Sequence, residues 1–284
     1  MKNHLIIILI LFISPEIHAQ NSPTEKYGSN LTNGKHASIN EAQIYYETYG
    51  EGTPLLLLHG GVGSIINFQE CIPTLAEHFK VIAVDSPGHG RSSHLDSLSY
   101  PLMADYISQF IDHLQLDSLY ILGWSDGGII GLYLAADRPD KVKKLLAIGV
   151  NTGTNGLSKD LLDWTNNGLI DWAKDKDGWW MKTHLPLLSQ PEKIDEYLEN
   201  TKKMWLTEIY IPQTKVQSIK VPTMIMLGDK DSIKKEHTLE IYRDIENAQL
   251  CILPNTGHYV FGKSGKLVNQ IAIDFFNEKI KAKK

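Results

Sequence analysis

The chain has 284 residues, of which 42% are hydrophobic and 21% charged, a balance that excludes a disordered chain and a multi-pass membrane protein. Twenty-eight basic against 33 acidic residues give a formal charge of −5, which offers no basic footprint for a phosphate backbone and excludes nucleic acid as a default partner. Two cysteines, Cys71 and Cys251, are too few for a disulfide framework and show no Cys/His ligand spacing, so stability must come from an apolar core.

The first nineteen residues, MKNHLIIILILFISPEIHA, read as a secretory signal peptide. Lys2 supplies the positive start, Leu5 to Ile13 an unbroken apolar run, and Pro15 a break before the small residue Ala19. Nine apolar residues at about 1.5 Å each fall short of a membrane core of about 30 Å, so no stable anchor is expected once the signal is removed. The expected location is therefore outside the cytoplasm, in a periplasm or beyond the cell. An oxidising compartment makes a Cys71–Cys251 bridge conceivable, but two buried small apolar side chains are the simpler reading, because Cys251 lies in the strand-like run AQLCIL.

A polar leader follows over residues 20–36, and the catalytic domain is expected over 37–284. Residues Ala37 to Tyr49 alternate as an antiparallel strand pair would. PLLLLHG (54–60), KVIAVD (80–85), LYILG (119–123), VKKLLAIG (142–149), TMIMLG (223–228) and AQLCILP (248–254) are short runs that end in polar or glycine residues. Apolar on both faces, they suit a parallel sheet covered by helices. Helical spacing occupies Leu102–Leu116, Gly127–Asp137, Glu236–Ile245 and Lys266–Ile280 between them, which predicts a doubly wound α/β sheet. One interval, about 151–220, holds no strand but five of the six tryptophans: Trp164, Trp172, Trp179, Trp180 and Trp205. So long a structureless loop is implausible, and a helical cap over the C-terminal edge of the sheet is expected, with one or two of the tryptophans facing a substrate cavity.

The chemistry concentrates at Gly123-Trp124-Ser125-Asp126-Gly127, a G-x-S-x-G string placed directly after one strand and before one helix. A serine on so sharp a turn presents its hydroxyl above the sheet edge, but it needs a base and a group to orient that base. His258 follows the run AQLCILP, and Asp231 follows TMIMLG, each at the end of a later strand. Of the other later histidines, His184 falls in the cap and His237 at a helix start. Asp229 is the rival acid, but the first aspartate of such a turn more often holds the loop, so Asp231 is preferred. For an oxyanion, the N–H of Asp126 supplies one donor, and Gly61, in the loop His59-Gly60-Gly61-Val62-Gly63, supplies the second. That glycine run lacks the lysine of a phosphate-binding loop.

Taken together, these residues resemble the α/β-hydrolase fold over essentially all of 37–280, with HGG at 59–61 and Asp85-Ser86-Pro87-Gly88-His89-Gly90-Arg91-Ser92 as further marks. The resemblance implies a mostly parallel eight-stranded sheet with a cap, and gives His89 and Arg91 an architectural role. It also implies a reaction without metal or organic cofactor. The serine at the nucleophile position argues against the dehalogenase and epoxide hydrolase branches, which carry aspartate there. The longer string 123–129 resembles the valacyclovir hydrolase-like (biphenyl hydrolase-related) branch, in which the aspartate after the nucleophile binds the ammonium of an amino-acid ester.

A physical argument leads to the same residue. A carboxylate about 6 Å from an oxyanion repels it by roughly 3 kcal/mol at an effective dielectric of 20, so Asp126 should slow the reaction unless a positive group neutralises it. A substrate ammonium would do so; the alternative is an Asp126 that points away or pairs with a cap Lys, Arg or backbone amide. The expected activity is that of a serine hydrolase on small carboxylic esters, with α-amino-acid esters as the narrower reading. A proline iminopeptidase-like aminopeptidase or a lactonase on the same residues, acting on an amide or lactone, is the alternative within the fold. A catalytically silent ligand-binding protein is the alternative outside it.

Overall fold

The computed structural model describes residues 27–278; the expected signal peptide and the first part of the polar leader lie outside them. Eight strands form one sheet: β1 (Gly34–Ile39), β2 (Ala42–Tyr49), β3 (Pro54–Leu58), β4 (Lys80–Val84), β5 (Leu119–Trp124), β6 (Val142–Ile148), β7 (Thr223–Gly228) and β8 (Ala248–Leu253). Their order is β1-β2-β4-β3-β5-β6-β7-β8, with β2 antiparallel to both neighbours and every pair from β4 to β8 parallel. This is the α/β-hydrolase fold that the sequence leads one to expect.

The double-sided apolar strands explain the layers. In β3, Leu56 and Leu58 join the core on one face of the sheet while Leu55 and Leu57 join the core on the other, and Ile82/Val84 and Val81/Ala83 of β4 repeat the division. The first face is covered by α2 (Tyr100–His113), α3 (Asp126–Asp137) and α9 (Lys235–Asp244), the second by α1 (Ile72–Ala76) and α10 (Gly265–Asn277). Each strand therefore loses apolar surface to water on both sides, at about 25 cal/mol per Å². Helix α1 escaped the periodicity reading because five residues are too few to show a helical repeat. Helix α2 starts two residues before the expected Leu102, capped by the Ser99 hydroxyl and with proline in its first turn.

Between β6 and β7 lies the expected cap, built from α4 (Lys159–Asn167), α5 (Leu169–Lys174), α6 (Trp179–Thr183), α7 (Ile194–Trp205) and α8 (Gln213–Gln217). Its tryptophans divide by role. Trp180 is buried and donates its indole N–H to the Val62 carbonyl at 2.5 Å, which fastens the cap to the loop after β3. Trp164 and Trp205 face a cavity above the sheet, whereas Trp172 is 39% and Trp179 61% exposed.

The leader is part of the fold well before residue 37. Glu47 of β2 is fully buried and accepts the backbone N–H groups of Gly28 and Asn30 and the hydroxyls of Tyr45 and Tyr49, at 2.7–3.0 Å. A carboxylate with four donors is satisfied without a cation, and it pins residues 28–30 against the sheet. Cys71 is buried under the sheet and Cys251 half-buried on β8; both are free. No helix among the described residues is long and apolar enough to cross a membrane.

Candidate active site

Strand β5 ends at the centre of the sheet, where the chain reverses sharply into α3. Ser125 stands on this turn with φ 54° and ψ −121°, a left-handed conformation that costs a non-glycine residue on the order of 1–3 kcal/mol. The turn is possible because α3 approaches β3 closely: a Cβ on Gly127 would collide with the backbone of Leu58 and His59. Backbone strain and glycine contact together hold the Ser125 hydroxyl off the strand end.

Two later strand ends deliver its partners. His258 Nε2 lies 2.9 Å from Ser125 Oγ, and His258 Nδ1 lies 2.9 Å from Asp231 Oδ1. The Asp231 side chain is fully buried, and its Oδ1 also accepts the Ile233 N–H at 2.9 Å, so the carboxylate is oriented from two directions. With Nδ1–H donated to Asp231, the imidazole presents Nε2 as an acceptor to the serine hydroxyl. Trp124 steadies the same histidine by donating its indole N–H to the His258 carbonyl at 2.9 Å.

Asp229 does something else. Its Oδ1 accepts the Thr256 N–H at 3.0 Å, and backbone donors at Asn255 and Thr256 hold its carboxyl below the usual range. It thus shapes the loop that carries His258. The remaining histidines are engaged elsewhere: His184 meets Ser64 Oγ at 3.2 Å, and His237 Nε2 accepts the Thr152 N–H at 3.0 Å. His89 and Arg91 stay in the loop after β4, where His89 Nδ1 donates to Pro87 O and Arg91 N–H to Asp85 Oδ2. Burial pushes the Asp85 carboxyl up to about 7 against the pull of two backbone N–H bonds, from Ile65 and Arg91.

Gly61 and Asp126 both line the cavity beside Ser125. Among the described residues neither backbone N–H is taken by a hydrogen bond. Asp126 is the first residue of α3, so its N–H is one of the free donors at a helix N-terminus, where an anion is favoured. The two sequence candidates for the oxyanion donors therefore line the same cavity as the nucleophile, with both N–H groups free.

The Asp126 side chain turns toward the cavity and is only 4% exposed. Tyr100 Oη donates to Oδ1 at 2.9 Å, and the indole N–H of Trp205 donates to Oδ2 at 2.9 Å. The cap does reach Asp126, then, but with a neutral indole and not with the lysine, arginine or backbone amide weighed from sequence. Burial pushes the carboxyl up to about 6, opposed by the Trp205 and Tyr100 hydrogen bonds and by nearby His258. Neither donor brings a charge. Sequence reasoning missed both: Tyr100 opens a helix 26 positions earlier, and Trp205 ends a cap helix 79 positions later. The cap tryptophan cluster was the only signal pointing toward either. Gly61 is required beside this contact, because a Cβ there would strike both Asp126 Oδ2 and the Trp205 ring.

The cavity measures about 200 Å³, below the roughly 300–1,000 Å³ typical of drug-sized ligand sites. Leu157, Leu161, Trp164, Tyr210 and Ile233 give it a mostly apolar lining. It can admit a small acyl compound with one apolar end lying against the cap. Serine, histidine and aspartate in hydrogen-bonded series, two free N–H groups and a mostly apolar cavity are the parts needed for nucleophilic acyl transfer.

Comparison with known proteins finds the same fold and finds hydrolases among the relatives. A family model described as alpha/beta hydrolase fold matches residues 53–182. Human "Serine hydrolase BPHL" is 26% identical over 94% of this chain and 94% of its own length. A Pseudomonas putida 2-hydroxy-6-oxononadienedioate/2-hydroxy-6-oxononatrienedioate hydrolase is 26% identical over 87% of this chain and 97% of its own. Among solved structures, the enol-lactonase from Burkholderia xenovorans LB400 superposes with a TM-score of 0.70 at 17% identity, covering 86% of this chain and all of that one.

Proposed function

We propose that this chain, a member of the α/β-hydrolase-fold serine-hydrolase superfamily acting on small carboxylic esters, works through an acyl-enzyme on Ser125 and prefers esters with an α-amino group. The carrying observation is the Asp126 carboxylate: cavity-facing, buried, one residue from the nucleophile and paired only with neutral donors.

The chemistry runs through named atoms. Ser125 Oγ attacks the ester carbonyl as His258 Nε2 takes its proton; the oxyanion is met by the N–H groups of Gly61 and Asp126. Collapse expels the alcohol, which receives the proton back from His258, and water repeats the sequence to release the acid. Asp231 keeps the imidazole in the tautomer that accepts at Nε2. An unneutralised Asp126 carboxylate would oppose the oxyanion, and an α-ammonium placed between them removes that opposition while gaining a charge-assisted hydrogen bond. The likeness to human "Serine hydrolase BPHL" supports the serine-hydrolase part of the reading. A lactone is the second substrate class, since the same atoms open a cyclic ester. The N-terminal sequence supports export, which belongs to the same proposal.

The test is a pair of aryl esters that differ only in the α-amino group. For the wild type, the aminated ester should have the higher kcat/KM, and Asp126→Asn should reduce the aminated-to-plain ratio by about 10–100-fold, as loss of one buried ionic hydrogen bond implies. The pH dependence follows from the same residue. Asp126 carries its charge above about pH 6 and loses it as pH falls through that value, while an α-amino group loses its proton above about 7.7. The ratio should therefore peak between these limits and decline on both sides, and any pH effect common to both esters cancels in it. A ratio unchanged by Asp126→Asn, or flat from pH 5 to 8, contradicts the ammonium assignment.

A further inference from the structure

Away from the catalytic cavity, the loop after β4 and helix α7 of the cap bring together His94, Asp96 and Glu196. One ligating atom from each lies within 4.8 Å of the others, and no other trio of His, Cys, Asp or Glu side chains among the described residues is grouped in this way. The arrangement involves more than surface acidity. The His94 side chain is only 7% exposed, and its Nε2 is buried without a hydrogen-bond partner. That nitrogen faces Glu196 Oε1 at 3.3 Å. Four ligands placed tetrahedrally about 2.0–2.1 Å from a zinc ion stand about 3.3 Å apart, so this pair already has the spacing of one tetrahedral edge. Asp96, exposed on the same loop, supplies the third donor; its main-chain carbonyl accepts from Asn200 of α7 at 3.1 Å, which holds loop and helix in register. The nearest competing cation, Lys193 Nζ, is 4.0 Å from Asp96 Oδ1, a loose surface pairing that is readily displaced.

We propose that His94, Asp96 and Glu196 bind a zinc-class divalent cation that latches the cap to the catalytic domain. One imidazole and two carboxylates suit a borderline ion such as Zn²⁺ better than the all-oxygen shells of Ca²⁺ or Mg²⁺. The ion would join groups on two separate parts of the fold, the loop and the cap helix. The helix that carries Glu196 ends at Trp205, which donates to Asp126, so ion binding at one end of α7 steadies the cavity wall at the other. The site takes no part in the chemistry, and the proposal stands independently of the substrate class.

Titration of tag-free, chelator-stripped protein with Zn²⁺ alone, followed by calorimetry and by thermal unfolding, tests it. The wild type should bind one Zn²⁺ per chain and unfold at a higher temperature with the ion present, because a ligand that binds only the folded state stabilises it. Both His94→Ala and the near-isosteric Glu196→Gln should weaken the one-to-one binding at least tenfold and abolish the thermal shift, while leaving ester turnover without zinc within about twofold of wild type. Wild-type protein that shows no one-to-one binding at 100-fold excess over protein, or variants that bind as wild type does, would overturn the site. In that event His94 and Glu196 form an ordinary ion pair.

Discussion

Ser125→Ala is expected to lower kcat on activated aryl esters by at least about 10⁵, with KM little changed. Removing the nucleophile of a serine–histidine–aspartate set leaves only the residual acceleration of oxyanion donors and binding, which is several orders of magnitude smaller than the whole. The variant keeps the cavity walls and both N–H donors, so substrate should still bind. The hydroxyl it deletes makes its side-chain hydrogen bond to His258, which is partly exposed to the cavity, so unfolding should move little. Pre-steady-state turnover of a nitrophenyl ester measures the effect. Hydrolysis within tenfold of wild type would mean that a different group attacks the carbonyl.

Asp231→Asn is expected to cost about 10⁴ in kcat, whereas Asp229→Asn should change it by no more than about threefold. The two aspartates stand two positions apart in one turn, yet only Asp231 reaches His258, at 2.9 Å, from a fully buried position. An asparagine there can donate to Nδ1 and thereby favour the tautomer with its proton on Nε2, where the serine needs an acceptor. It also withdraws the charge that stabilises the imidazolium formed during attack. Asp229 shapes the backbone at Thr256, and an asparagine oxygen can still accept that N–H. Equal losses from both substitutions would show that the turn as a whole, and not the Asp231 carboxylate, supports catalysis.

Much of the site was legible because its logic is local. Strand β5, the glycine-flanked turn and α3 occupy 19 consecutive residues, 119–137, and strain on Ser125 follows from that sequence alone. His258 and Asp231 were legible because each sits just past an apolar run that can only be a buried parallel strand. What could not be read is whatever depends on the cap closing over the sheet. Tyr100 lies just ahead of the helix expected from Leu102, and Trp205 is one of five cap tryptophans with nothing in sequence to set it apart, yet they meet at the two oxygens of Asp126. His94 and Glu196 are 102 positions apart and share no motif, so no ligand spacing announced them. The leader looks merely polar in sequence, because nothing in its composition reveals that a buried Glu47 collects the N–H groups of Gly28 and Asn30.

The central claim is that Ser125 is the acylated nucleophile, and the most direct measurement is stoichiometric reaction with a fluorophosphonate followed by peptide mass spectrometry. The account predicts one label per chain, located on Ser125, lost in Ser125→Ala and slowed by orders of magnitude in His258→Ala. A wild-type protein that takes no label, or takes it on any other residue, would contradict it.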